Sequence, residues 1–417
     1  MSRRLQFGLA LLLVFAASDR GRAAQEFFVA PQTVGDGGGA SAENAAGFRD
    51  PKLWARINPA LEQNPVTVTF LAGTYLVSDD KAKAMPPLVV TGIGHAIHRC
   101  VIQGSAAGEV IFTRHPADRK TGEKGPGFFF LSDCHNVTVR NLTFTAPKIP
   151  IGYATNFGKC QNILIEDCHW HDLQGVYFGA TGTVGETTDH ITFQRCRFER
   201  VGSGGHAHMA YNAYDPRHIR FIDCHFEDCA GDYVRFRDNT EYGVVVGCTF
   251  KSTGTYTNVH SPFISVPLFN DDNPATNPAH PNYEYFGTHF LICNNTFSYA
   301  NELKPESRIA VLFHQSGFSP PGRHYLLTPA EARILKTGTT EARQAFLRAT
   351  IGIDPATVHV FGNRYTNVAR RGVYRCAAQY GARSLGGDGA YEIGDTFNSA
   401  PVVRTPAEAL AFFEPPR

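Results

Sequence analysis

Apolar residues in this chain recur in a broken two-step rhythm. The stretch Ile163-Leu-Ile165-Glu-Asp-Cys168-His-Trp170 has apolar side chains at its first, third, sixth and eighth places. The same phrase returns as Ile191-Thr-Phe193-Gln-Arg-Cys196-Arg-Phe198, as Ile219-Arg-Phe221-Ile-Asp-Cys224-His-Phe226 and as Gly243-Val-Val245-Val-Gly-Cys248-Thr-Phe250. The closing aromatics Trp170, Phe198, Phe226 and Phe250 lie 28, 28 and 24 residues apart. Recurrence at intervals of roughly 20–50 residues marks a solenoid. Within a phrase, each apolar pair has the period of two expected of a strand with one buried face. The step from the third place to the sixth breaks that parity. A chain that slips phase and still keeps its apolar side inward must turn a corner there. Each phrase therefore predicts a strand, a tight corner and a second strand.

A third strand fits the residues between phrases, at 176–178, 208–211 and 233–236. Three short strands per coil, stacked in register at about 4.8 Å, make an all-β, single-stranded parallel β-helix. Looser copies extend it in both directions. Val137-Thr-Val139-Arg-Asn-Leu142-Thr-Phe144 precedes the regular region, and Phe290-Leu-Ile292-Cys-Asn-Asn295-Thr-Phe297 and Val358-His-Val360-Phe-Gly-Asn363-Arg-Tyr365 follow it. Residues 390–397 read as a worn last copy. Asn295 and Asn363 take the slot held by cysteine earlier; Asn tolerates a left-handed corner and can bond along a stack. Two insertions, 270–285 and 318–354, swell the late coils. Both leave from the corner after the third strand, so both are expected to wall one side of the solenoid. The second should be helical, since Thr328-Pro-Ala-Glu331 is a capping box.

At the front, a helical stretch is expected over 42–61, broken near Pro51. Val66-Thr-Val68-Thr-Phe70-Leu-Ala-Gly73-Thr-Tyr75 follows. This strand, glycine turn and strand resembles the opening coil of the pectin-lyase-like superfamily of right-handed parallel β-helix proteins. The resemblance implies a right-handed solenoid, with the preceding helix capping edges that would otherwise invite association. Thr405-Pro-Ala-Glu408 should open a short last helix that plugs the far end.

Composition narrows the setting. Residues 1–23 read as a secretory signal: Arg3 and Arg4 precede an apolar run over 9–17, too short to span a bilayer comfortably. The mature chain, 24–417, is then one β-helix domain, secreted or periplasmic and without a membrane segment. A net charge of +1 argues against bulk nucleic-acid or membrane binding. Ten cysteines in an exported chain suggest disulfides. Cys168, Cys196, Cys224 and Cys248 instead share one inward slot and read as stacked small hydrophobes. Cys134 with Cys160 is the best disulfide candidate. A monomer is the expected state.

Parity on the third strands sorts the chemistry. With Met209, Tyr211, Val234, Phe236, Val311 and Phe313 inward, the outward stripe is Tyr177, His208, Asn212, Arg235, Arg237, His314 and Arg375, with Tyr214 and His260 at the margins. Such a stripe suits an acidic sugar polymer, because guanidinium groups pair with carboxylates in a fork geometry. Removing the proton α to a uronate carboxyl needs a damped carboxylate, a base and an acid. Arg235 and Arg237 would clamp the carboxylate, His208 would be the base, and Tyr177 or Tyr214 the acid. Asn212, Asp238, Asn239, His260, His314 and Arg375 would line the substrate.

The segment Asp232-Tyr-Val-Arg-Phe-Arg237-Asp-Asn239 with 245–250 resembles the corresponding part of alginate-lyase-type β-helix enzymes. That resemblance implies β-elimination on an acidic, uronate-containing polysaccharide. The family places a catalytic lysine on the preceding coil; here that coil has Ala210 to Tyr214, so His208 or Tyr214 must substitute. Two alternatives stand beside the lyase. A glycoside hydrolase would draw on Asp215, Asp232 and Asp238, although parity turns Asp232 inward and leaves the other two in turns. A non-catalytic carbohydrate-binding protein needs neither set. No cofactor is implied with certainty. The oxygen-rich Asn270-Asp-Asp-Asn273 leaves room for Ca²⁺, and the His206-x-His208 pair for a transition metal that lacks an evident third ligand.

Overall fold

In the computed structural model the described residues are 23–118, 125–175, 177–204, 206–256, 262–268, 285–316, 329–377, 390–392 and 405–414. They wind into a parallel β-helix whose three sheets have 11, 9 and 10 strands. The repeating phrase supplies two strands per coil, as its parity break predicts. Gln161–Glu166 lies on the first sheet and His169–Leu173 on the second, with Asp167 and Cys168 at the corner between them. The third sheet takes Tyr177–Val184, His206–Ala213, Val234–Phe236, Ile264–Leu268 and Ile309–Ser316 in succession. Successive coils pair in parallel register, so Trp170 stands on Phe198, Phe198 on Phe226 and Phe226 on Phe250.

The core is a column of like side chains. The stack of Trp170, Phe198, Phe226 and Phe250 has centroid separations of 4.6, 4.8 and 4.7 Å with nearly parallel rings. Offset stacking of buried rings adds to the gain from removing them from water. At the first corner Cys168, Cys196, Cys224 and Cys248 are buried free thiols. The left-handed turn there is made by the preceding residue, Asp167, Arg195, Asp223 or Gly247, at φ between 52° and 68°. Asn295 and Asn363 continue the slot by hydrogen bonding rather than by adopting the left-handed backbone themselves. Asn295 Oδ1 accepts from the Cys248 N–H at 2.9 Å, and Asn363 Oδ1 from the Asn295 N–H at 2.9 Å. Cys134 and Cys160 are likewise free thiols, so the proposed disulfide is absent.

Both ends differ in detail from the sequence reading. The expected front helix divides into a 3₁₀ turn at Ala42–Asn44, a strand at Ala46–Gly47 and helices at Pro51–Trp54 and Ile57–Leu61. Leu53, Ile57, Ala60 and Leu61 still enter the core and close it. The last helix, Pro406–Leu410, begins with the expected capping box at Thr405 and Glu408. It lies along the outer face of the first sheet, with Ala409, Phe412 and Phe413 against Val244, Val246, Leu291 and Cys293, rather than across the end. The apolar outward side chains of that sheet explain the position, since they need a cover. Helices Pro329–Thr337 and Thr340–Phe346 occupy the second insertion. Among the described residues no helix is long and apolar enough to cross a membrane. Residues 1–22, most of the first insertion and the Asn270–Asn273 run lie outside the described residues.

Candidate functional site

The third sheet gathers polar side chains on its outer face. Its register runs Gly182, Tyr211, Arg235, Ser265 on neighbouring strands. The row next to it, Thr183, Asn212, Phe236, points into the core. This reverses two expectations. Tyr211 faces outward, and Asn212 is buried inside, where Thr183 Oγ1 donates to its Oδ1 at 2.6 Å and its Nδ2 donates to the Arg235 carbonyl at 2.9 Å. The cause is a phase slip within His206–Ala213. Met209 and Ala210 are consecutive residues that both pack in the core, so His208 and Tyr211 share the outer face although three residues apart. Their rings stack at 5.4 Å. Simple alternation cannot register such a slip.

A charged cluster forms around His208. Arg235 Nη1 is 3.1 Å from His208 Nε2 and 3.4 Å from Asp232 Oδ2. With arginine as donor, Nε2 is the acceptor and Nδ1 carries the proton of the neutral ring. Nδ1 is buried without a hydrogen bond, 3.7 Å from Asp232 Oδ2. Asp232 is therefore part of this outer cluster, contrary to the inward position that parity assigned. Ser265 hydrogen bonds to Asp232, and its hydroxyl is 3.4 Å from His314 Nε2. Tyr211 is held by Arg237, whose Nη1 donates to the phenol oxygen at 3.3 Å.

These groups are far less exposed than a surface stripe. His208 is 3 % exposed, Asp232 7 % and Arg235 8 %. Burial holds the His208 imidazole well below its usual range, and the charges of Arg235, His206, Arg237 and His314 push the same way. Burial raises the Asp232 carboxyl despite Arg235 beside it. Burial also raises the Tyr211 phenol, against the pull of Arg237 and Arg235. The site thus holds a neutral imidazole, a protonated phenol and two guanidinium groups within one face. That combination can accept one proton, donate another and bind an anion.

The remaining expected residues fall in several places. Tyr177 pairs with His206 rather than His208; its side chain and that of Arg375 lie outside the described residues, as does His260. The Arg375 backbone pairs with His314. Tyr214 sits at the corner after the strand at φ 67° and is 37 % exposed. Asp238 is fully buried and accepts from Arg237 Nε at 2.9 Å, so it positions that arginine and is not open to a substrate. Asn239 Oδ1 accepts from the Tyr285 N–H. Among the described residues no third metal ligand joins His206 and His208. Two neighbours escaped the sequence reading. Ser265 lies on Ile264–Leu268, where Ile264, Val266 and Leu268 alternate into the core and turn Ser265 outward, a signal that the strand parity does contain. Tyr153 packs over Gly182, where a Cβ would stand 2.7 Å from its ring, and that ring is 6.2 Å from Tyr211.

Residues 89–266 match the family described as a right handed beta helix region. The fold is a right-handed parallel β-helix. Solved structures similar to this β-helix include pectate lyase Pel9A, at 9 % identity, TM-score 0.41, covering 75 % of this chain and 74 % of that one. A rhamnogalacturonan lyase aligns at 12 % identity and TM-score 0.39, covering 71 % and 75 %. The GH136 lacto-N-biosidase from Eubacterium ramulus aligns at 9 % identity and TM-score 0.37, covering 82 % and 68 %. No curated protein matches the chain.

Proposed function

We propose that this β-helix is an exported carbohydrate-active enzyme, a lyase that cleaves an acidic, uronate-containing polysaccharide by β-elimination on the outer face of its third sheet. One arrangement carries the reading: His208 and Tyr211 stand on the same face as Arg235 and Arg237, and burial lowers the imidazole's affinity for a proton and raises the phenol's. The arginines damp the uronate carboxylate and so acidify the adjacent C–H. His208, deprotonated at Nε2, takes that proton once Arg235 turns to the substrate carboxylate. Tyr211 delivers a proton to the departing glycosidic oxygen, the role first assigned to Tyr177 or Tyr214. Asp232 and Asp238 hold the two arginines in place between turnovers.

The raised Asp232 carboxyl favours a second reading, a glycoside hydrolase with Asp232 as the general acid. Incubation with a panel of uronate polymers separates the two. A lyase generates the ultraviolet absorbance of an unsaturated uronyl end together with each new reducing end; a hydrolase generates reducing ends alone. In the lyase Arg235→Ala and His208→Gln each abolish product while far-UV circular dichroism is unchanged. Full activity in both variants removes the site, and binding without any product leaves a carbohydrate-binding protein.

A further inference from the structure

A second cluster lies on the outer face of the first sheet, remote in the coil from the third. His190 and His218 occupy equivalent places on adjacent coils, flanked by the pairs Asp189–Arg217 and Ile191–Ile219. Both adopt left-handed backbone, at φ 55° and 50°, and their rings stack at 4.2 Å. The stack turns both Nδ1 atoms toward one carboxylate oxygen. Asp189 Oδ1 is 2.9 Å from His190 Nδ1 and 2.7 Å from His218 Nδ1. One ligand atom from each residue thus lies within 4.8 Å of the others, and all three side chains are half-buried. His190 Nε2 is turned the other way and lies 3.0 Å from Glu414 Oε1. Glu414 is itself held by Arg220.

We infer that Asp189, His190 and His218 bind one divalent transition-metal ion, with Glu414 orienting His190 from outside the coordination shell. If the contacts were hydrogen bonds alone, His190 would need protons on both ring nitrogens to serve Asp189 and Glu414 together. A metal at the two Nδ1 atoms replaces those protons and leaves His190 Nε2–H to donate to Glu414. Metal-bound histidines characteristically donate their far ring N–H to a carboxylate in this way, which fixes the ring's orientation. Two imidazole nitrogens and one carboxylate oxygen select Zn²⁺, Ni²⁺ or Cu²⁺ over Ca²⁺ or Mg²⁺. For Zn²⁺ a water completes four ligands. Glu414 belongs to the segment that follows the last helix, so the ion would also tighten that segment on the sheet.

Calorimetric titration of the tag-free full chain with ZnCl₂ tests this. The expected result is one saturable Zn²⁺ per chain, lost in His218→Ala and weakened at least about tenfold in Asp189→Asn, which keeps side-chain volume. Glu414→Gln should retain the stoichiometry and weaken binding by roughly 10–100-fold. Zn²⁺ should raise the thermal midpoint of the wild type and not that of Asp189→Asn. Absence of saturable binding, or wild-type affinity in both His218→Ala and Asp189→Asn, overturns the site.

Discussion

At the scale of single residues, His208 shows how burial sets chemistry. An imidazole in water is protonated below about 6.5; here burial first, and four neighbouring cationic or titratable groups after it, keep the folded ring neutral. In the unfolded chain the ring titrates at its ordinary value. Below about 6.5 the unfolded state therefore binds a proton that the folded state refuses, and stability decreases as the pH is lowered. The contribution is fully present above 6.5 and is lost as pH drops toward the depressed folded value. His208→Gln removes this titration, so its denaturation midpoint should vary less between neutral and mildly acid pH than that of the wild type. If His208 is the base of the proposed elimination, the same depression predicts that kcat/KM for that reaction persists below about 6.5 instead of falling there. The sequence exposed His208, Arg235 and Arg237 because arginines alternating along a strand beside a histidine one coil away are a local pattern. It misplaced Tyr211, Asn212 and Asp232, because the slip at Met209–Ala210 and the reach of Asp232 to Arg235 depend on the neighbouring coil.

At the scale of elements, the corner slot shows two solutions to one requirement. A buried backbone N–H at the tight turn needs an acceptor from the next coil. Cys248 Sγ meets it weakly for the Cys224 N–H, at 3.4 Å, and Asn295 Oδ1 meets it well for the Cys248 N–H, at 2.9 Å. Asn295 Nδ2 also donates to the Val245 carbonyl. Asn295→Ala leaves both groups without that partner and should cost about 1–3 kcal/mol in chemical denaturation. Asn295→Cys should cost less, since sulfur serves in the same slot one coil earlier. Phe226, stacked between Phe198 and Phe250, should lose about 3–5 kcal/mol on change to Ala, the usual cost of a cavity of that size. These elements were legible in the sequence because each coil repeats the same demand in the same eight-residue phrase, even where an insertion lengthens the coil.

At the scale of the whole molecule, the solenoid must be closed at its front and covered along one side. The front helices bury Leu53, Ile57 and Leu61 over the first coil. The last helix covers Val244, Val246, Leu291 and Cys293, all apolar and all on the outer face of the first sheet. Deleting residues 405–417 should expose that patch, lower the thermal midpoint and promote self-association, which light scattering after size-exclusion chromatography detects.

The sequence by itself determined the coil: its three strands, its corner, its aromatic column and the sheet on which the arginines stand. Those features arise from contacts between equivalent positions of a repeat, so spacing and alternation encode them. Only the tertiary structure decided which polar groups meet across coils, how deeply they are buried, and where the last helix lies. Each of those depends on packing between residues with no fixed separation in the chain, and a periodic pattern has no term for it.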